Sequence, residues 1–256
     1  MQQDINQIIS YFSDWQLKVN PSKCELLHLG VRNQRYNYSI DGEQVPKVNN
    51  CRDIGVKVSD DYKFSLHVTE IVRNAYHRLR QIRICFSCHD VDFRLHMYNI
   101  YVRPVLEYIT VIWSPHLLKN IDKIEGVQRL FTRTLAGMSN LTYDQRLQRL
   151  KLKSLEERRI VNDLIFVFKI IRGLVKLDVN DFFEYNSTNT RGHNSKLRVQ
   201  YSRVNYRKFF FSNRVIPIWN ALPQSVVESS SLNDLKKGLD QIDFRAFCRG
   251  RAIMTR

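Results

Sequence analysis

The chain has 256 residues, 43% of them hydrophobic, with only nine Gly and six Pro, which is enough apolar content to bury a sizeable core. Forty Lys and Arg against 25 Asp and Glu leave a formal net charge of +15 at pH 7, which excludes an acidic solvating chain and suits a polyanionic partner. No run approaches ~18 uninterrupted apolar residues, and MQQDINQIIS has neither a basic n-region nor an apolar h-region, so no membrane partner and an intracellular location, nucleus or cytoplasm, are predicted.

Asp4 to Trp15 reads as a short helix with Ile5, Ile8, Ile9 and Phe12 on one face. LKV (Leu17 to Val19) and ELLHLG (Glu25 to Gly30) flank the turn signal Asn20-Pro21 and read as paired strands, with Lys23 at the mouth of the hairpin. In YNYSIDGEQV the pair Asp41-Gly42 is a two-residue hairpin turn, and in RDIGVKV the residues Ile54, Val56 and Val58 alternate as in a strand. From Phe64 the apolar period becomes helical. Val68, Ile71, Val72, Ala75, Leu79 and Ile82 fall inward, and Arg73, His77 and Arg80 line up outside.

The stretch from Phe93 to Gly137 organises the rest. VRPVLEYITVIWSP (Val102 to Pro115) continues a helical pattern through Leu95, Tyr98, Val102, Leu106 and Ile109, with Pro104 bending or restarting it. IEGVQRLFTR (Ile124 to Arg133) lies in a second, antiparallel helix with Ile121, Ile124, Phe131 and Leu135 inward and Arg129 and Arg133 on an outward ridge. Tyr143 to Leu150 follows as a short helix. Ser154-Leu-Glu-Glu157 is a capping box opening a long helix that ends near Gly173, with Val161, Leu164, Phe168 and Ile171 inward and Arg158, Arg159 and Lys169 as basic positions. NSTNTRGHNSK lacks periodicity and reads as a loop, YRKFFFSNRVIPIWNALP as a helical hairpin on the bundle, and Ser231 caps a last helix through Leu239. The predicted class is α+β, predominantly α: a small N-terminal antiparallel sheet in residues 1–58, a helical bundle in 59–137 and a basic helical region in 138–256.

The basic excess is confined to the helical part. Residues 1–62 carry seven basic and eight acidic side chains, and the remainder carries 33 and 17. Tyr185 to Val227 holds seven basic side chains and no acidic one, interleaved with aromatic rings. A solvated basic face would show the same charge, so charge alone does not single out nucleic acid. Five cysteines, an odd number, argue for reduced thiols and no disulfides. Cys85-Phe-Ser-Cys88-His89 has haem-attachment spacing, but without an exported context or a second CxxC it reads as a helix end. Asp60-Asp61 follows a strand, yet the chain then leaves into a helix, so the pair reads as a turn and not as a metal-binding hairpin. No phosphate-loop, dinucleotide, nucleophile-elbow or zincin motif occurs, and no metal ligands are assigned.

Seven strings in order carry a resemblance: Trp15-Gln-Leu-Lys-Val-Asn20-Pro-Ser-Lys23-Cys24, Asp53-Ile-Gly-Val56, VRPVLEYITVIWSP, IEGVQRLFTR, YDQRLQRLKLKSLEERR, TRGHNSK and FFFSNRVIPIWNALP. Together they resemble the C-terminal part of the reverse transcriptase of jockey-like non-LTR retrotransposons, from Ile5 to about Leu239. The resemblance implies a palm remnant around Asn20 and Lys23, a primer-grip hairpin at Asp53, Ile54, Gly55 and Val56, and a thumb-like bundle beyond Phe64. Fingers and palm carboxylates would lie upstream in the same polyprotein, so the Mg2+ of the complete polymerase has no ligands here and no cofactor is expected in this chain. Lys23 resembles the palm lysine that can act as general acid toward pyrophosphate, and is equally a solvated turn lysine. The implied partner is a template-primer duplex, RNA–DNA or DNA, met by Arg73, Arg80, Arg129 and Arg133 and by Arg191, Lys196, Arg207 and Arg214. The alternative is a catalytically dead helical module whose basic face binds an acidic protein.

Overall fold

The computed structural model describes residues 1–30, 32–186 and 193–250. The chain is α+β and predominantly α, and it divides into two compact units, Met1–His67 and a second beginning at Val68. Residues 59–137 and 138–256, taken separately in the sequence, therefore contribute for the most part to one unit.

In the first unit, helix α1 (Gln2–Asp14) turns Ile5, Ile9 and Phe12 partly inward, while Ile8 stays 55% exposed. Gln2 ties it to strand β2 (Ser39–Ile40): its Nε2 donates to the Ser39 carbonyl at 2.9 Å and its Oε1 accepts the Ser39 N–H at 3.1 Å. The hairpin expected between Leu17–Val19 and Glu25–Gly30 does not form. Asn20 instead caps a three-residue 3-10 turn, Pro21–Lys23, by accepting the Ser22 N–H at 3.0 Å, and Pro21 at its first position has no N–H to leave unpaired. Strand β1 (Leu26–Leu27) then pairs in parallel with β4 (Lys47–Val48), so the expected antiparallel sheet is three separate two-stranded pairs, one of them parallel.

The other two pairs are antiparallel hairpins. Strands β2 and β3 (Glu43–Gln44) are joined by Asp41-Gly42, both at positive φ, the type I′ geometry expected from their sequence. Strands β5 (Asn50–Asp53) and β6 (Val56–Ser59) register Asp53 against Val56 across Ile54-Gly55. Ile54 was expected in the strand, alternating with Val56 and Val58. It occupies the turn instead, at φ 44° and 74% exposed, because Gly55 beside it is the residue that permits a tight reversal.

The second unit holds α2 beyond its first residues (Ser65–Cys85 in all), α3 (Val91–Met97), α4 (Arg103–Glu107), α5 (Thr110–Trp113), α6 (Leu118–Arg133), α7 (Tyr143–Leu150) and α8 (Leu155–Ile171). Helices α9 (Val179–Phe182), α10 (Asn205–Lys208), α11 (Phe211–Asn220), α12 (Gln224–Val227) and α13 (Leu232–Asp240) follow. The helical run expected through Ile109, with Pro104 bending or restarting it, does change its winding before Pro104, and it stops short at Glu107. A π turn at Tyr98–Val102 precedes Pro104, and Ile109 adopts left-handed φ 49° before α5. Proline cannot supply the hydrogen bond that a continuous helix needs there.

Leu164, Val167, Phe168 and Ile170 of α8 meet Phe211, Val215, Ile216 and Trp219 of α11, with Leu235 and Leu239 of α13 completing a core. The two capping boxes, Thr142 with Gln145 and Ser154 with Glu157, start α7 and α8. Beside the core runs a buried polar chain. Tyr98 Oη donates to Gln128 Oε1 at 3.0 Å, Gln128 Nε2 donates to Tyr143 Oη at 3.0 Å, and Tyr143 donates to the Glu125 carboxylate. Glu125, 2% exposed, also accepts the Leu155 N–H at the start of α8. Burial pushes its carboxyl above the ordinary range and holds both tyrosines well above theirs.

Candidate nucleic-acid interface

A solvated arginine available to a phosphate must be free of a carboxylate of its own. On α2, Arg73 and Arg80 point outward with His77 between them, and Arg83 extends the row. Seven residues at about 1.5 Å each separate Arg73 from Arg80 by roughly 10 Å, about three base-pair rises of a duplex. Two adjoining grooves share Tyr76 and Arg80. One adds Thr69, Arg73, His77 and Lys123 of α6, the other Arg83, Arg94 and the apolar edge of Leu130 and Phe131. Among the described residues no carboxylate lines either groove. Lys123 Nζ donates to Thr69 Oγ1 at 3.2 Å and Arg94 Nε to the Cys88 carbonyl at 2.9 Å, which place both cations without neutralising them. The sequence reading missed Lys123, Arg83 and Arg94. Arg83 lies three residues past Arg80 and was legible from helical spacing, whereas Lys123 is brought there only by packing.

Arg129 corrects the expectation of an outward ridge. Its guanidinium reaches Asp122 at 2.7 Å, lies 5.8 Å from the centroid of the Tyr143 ring, and has only 24% of its side chain exposed. The spacing to Arg133 is right, but Arg129 is turned toward α7; Arg133, exposed at the end of α6, remains available. Arg214 is corrected more completely. It is clamped on buried Asp163 through Nε at 2.8 Å and Nη2 at 2.9 Å, and Nη2 also donates to the Val111 carbonyl at 2.7 Å. Arg158 and Arg159, expected as basic surface, are likewise withdrawn: Arg158 forks onto Glu107 and Arg159 is 2% exposed.

The remaining positions are scattered. Arg207 is exposed, donates to Gln200 Oε1 at 2.9 Å and lies over Phe210. Lys196 is half-buried beside the Tyr185–Leu197 bridge, where its carbonyl accepts the Asn186 N–H. Arg191 lies outside the described residues. In the first unit Lys23 is exposed at the end of the 3-10 turn. Asp53 to Val56 form the hairpin described above, with Ile54 at its tip and Val56 3% exposed in the core.

Asp60 and Asp61 do not fit a two-metal site. They lie in the turn after β6, and the Asp61 carboxylate accepts the Lys63 N–H at 3.1 Å and pairs with Lys63 Nζ at 3.1 Å. Among the described residues no group of three or more His, Cys, Asp or Glu could hold a metal ion, and no helix is long and apolar enough to cross a membrane. All five cysteines are free, with Cys85 and Cys88 exposed and Cys248 buried.

An uncharacterized protein of Caenorhabditis elegans is 27% identical over 135 residues, which cover 50% of this chain and 68% of that protein. No family model and no solved structure matches the chain.

Proposed function

We propose that the chain grips a nucleic-acid duplex, RNA–DNA or DNA, through the exposed face of α2, and that it is the C-terminal part of a non-LTR retrotransposon reverse transcriptase. One observation carries the binding reading: Arg73, His77, Arg80, Arg83 and Lys123 surround Tyr76 in grooves that, among the described residues, no carboxylate lines. Such a surface neutralises phosphates without reading bases, because the cations sit on helix ridges and no base-reading motif accompanies them. The polymerase reading is supported by the order of the seven strings and by the hairpin at Asp53 to Val56. Upstream fingers and palm would supply the carboxylates that hold Mg2+, so this chain's part is to hold the product and not to make it.

A fluorescent RNA–DNA duplex titrated with the purified chain tests the proposal. Binding should be saturable, indifferent to sequence and steeply weakened by salt. A log K against log salt slope near zero would refute it. Binding to polyglutamate that an RNA–DNA duplex fails to displace would assign the face to an acidic protein instead.

A further inference from the structure

A cavity of about 480 Å³ lies between α8, α11 and the segment around Val199 and Tyr201, within the size range of small-molecule sites. Arg159 of α8 lines it. The side chain is 2% exposed, yet neither Nη1 nor Nη2 has a hydrogen-bond partner. Two buried guanidinium nitrogens without acceptors are costly unless something supplies them. The carboxylates that attract it are all engaged elsewhere. Glu125 accepts from Tyr143 and Leu155, Glu156 accepts the N–H groups of Arg249 at 2.9 Å and Gly250 at 3.0 Å, and Glu107 is taken by Arg158. Asp163, also on the wall, is held by Arg214.

A second buried side chain on the wall has an unpartnered atom of the opposite polarity. Asn213 lines the cavity and spends its amide N–H groups on Ser202 Oγ and the Arg207 carbonyl, leaving Oδ1 with no donor. Much of the rest of the wall is apolar, with Pro115, Ile160, Val199, Pro217, Ile218 and Phe247, and its acidic members, Glu156 and Asp163, are the two engaged carboxylates named above. Lys208 and Arg249, each over the Phe209 ring, add positive charge.

We propose that this cavity binds a small-molecule oxyanion, a carboxylate or phosphate monoester on an apolar body, with Arg159 as its counter-charge. The planar fork of a guanidinium matches either headgroup with two parallel hydrogen bonds. The apolar wall accommodates the body, and Asn213 Oδ1 accepts from any hydroxyl or amide that it carries. The inference is independent of the duplex reading, since no residue of this cavity belongs to the α2 grooves.

Thermal unfolding of the full chain with benzoate, phenyl phosphate and neutral benzyl alcohol tests it. One or both anions should raise Tm saturably, by about 5–10 °C at a hundredfold excess over Kd, and benzyl alcohol should not. The tighter anion identifies the headgroup. Arg159→Met should abolish the shift while unfolding no earlier than the unliganded parent, because it removes an uncompensated buried cation. Arg159→Lys, which keeps the charge and loses the fork, should weaken binding at least about tenfold. If Arg159→Met fails to fold, Val199→Trp at the exposed lip should weaken the same anion without moving the unliganded Tm. No shift in the parent at millimolar anion, an equal shift in Arg159→Met, or, should that variant not fold, unaltered binding in Val199→Trp would overturn the proposal.

Discussion

Replacing Arg73 and Arg80 together by Ala should weaken duplex binding and flatten its salt dependence, whereas replacing Arg214 should damage the fold. Both α2 arginines are exposed, so the double variant should lose no more than about 0.5 kcal/mol of stability per site. Each phosphate neutralised contributes about −0.9 to the slope of log K on log salt, so losing two should make the slope shallower by about 1.8. Between about 50 and 200 mM salt the parent should therefore lose about twelvefold more affinity than the variant. Arg214→Ala leaves Asp163 buried without its partner, at a cost of about 3–5 kcal/mol. Fluorescence anisotropy across a salt series, with urea unfolding of each variant, separates the two classes. An Arg73→Ala/Arg80→Ala chain with the parental slope would refute the placement of the duplex on α2. A stable Arg214→Ala chain with a flattened slope would return Arg214 to the interface.

Three further outcomes follow from the fold. Ser154→Ala removes the cap of α8 and leaves the Glu157 N–H without its acceptor, so urea unfolding should show a loss of about 1–2 kcal/mol; an unchanged midpoint would mean the box contributes nothing. Ile54→Asn places a residue that tolerates positive φ in the β5–β6 turn and should raise stability by about 1 kcal/mol, with a fall in stability counting against strain at Ile54. Glu125 has a folded-state pKa above its unfolded value, so its contribution is fully present below the ordinary Glu range and is lost as pH rises through the folded value. Glu125→Gln should therefore flatten the fall of stability from acid toward neutral pH. Asp163, raised by burial against the pull of Arg214, keeps a residual slope of the same sign. An undiminished slope in the variant would exclude Glu125 as its source.

Local signals were legible wherever the physics is local. The Ser154 cap, the Asp41-Gly42 turn and the inward row Val68, Ile71, Val72 and Ala75 depend on residues a few positions apart, and the α+β class followed from them. Pairing over distance was not legible. Leu26 and Leu27 find Lys47 and Val48 instead of the nearer Leu17–Val19, because Asn20 and Pro21 turn the backbone helically between the expected arms. The same limit governs the cations. Arginines at suitable helical spacing look alike in sequence, but Asp163 stands 51 residues from Arg214 and Glu107 51 from Arg158, so their neutralisation emerges only from packing. The vacant guanidinium of Arg159 has no sequence signal at all.

The π turn at Tyr98–Val102 sets where the chain tolerates change in length. Each residue of an α-helix rotates the chain by about 100°, so phase is cumulative along a continuous helical path. Here the Arg103 N–H reaches back five residues to the Tyr98 carbonyl, and this wider turn lets Tyr98 and Val102 both stay fully buried while Tyr98 stacks on Phe131 at 4.3 Å. Loss of one residue here would restore ordinary winding and leave Leu106 nearly in phase with the core, because the wide turn takes up its extra residue without extra rotation. A one-residue deletion at exposed Ile100 or Tyr101 should therefore be tolerated, whereas one between Val102 and Leu106, where the winding is ordinary, would turn Leu106 out of the core by about 100°.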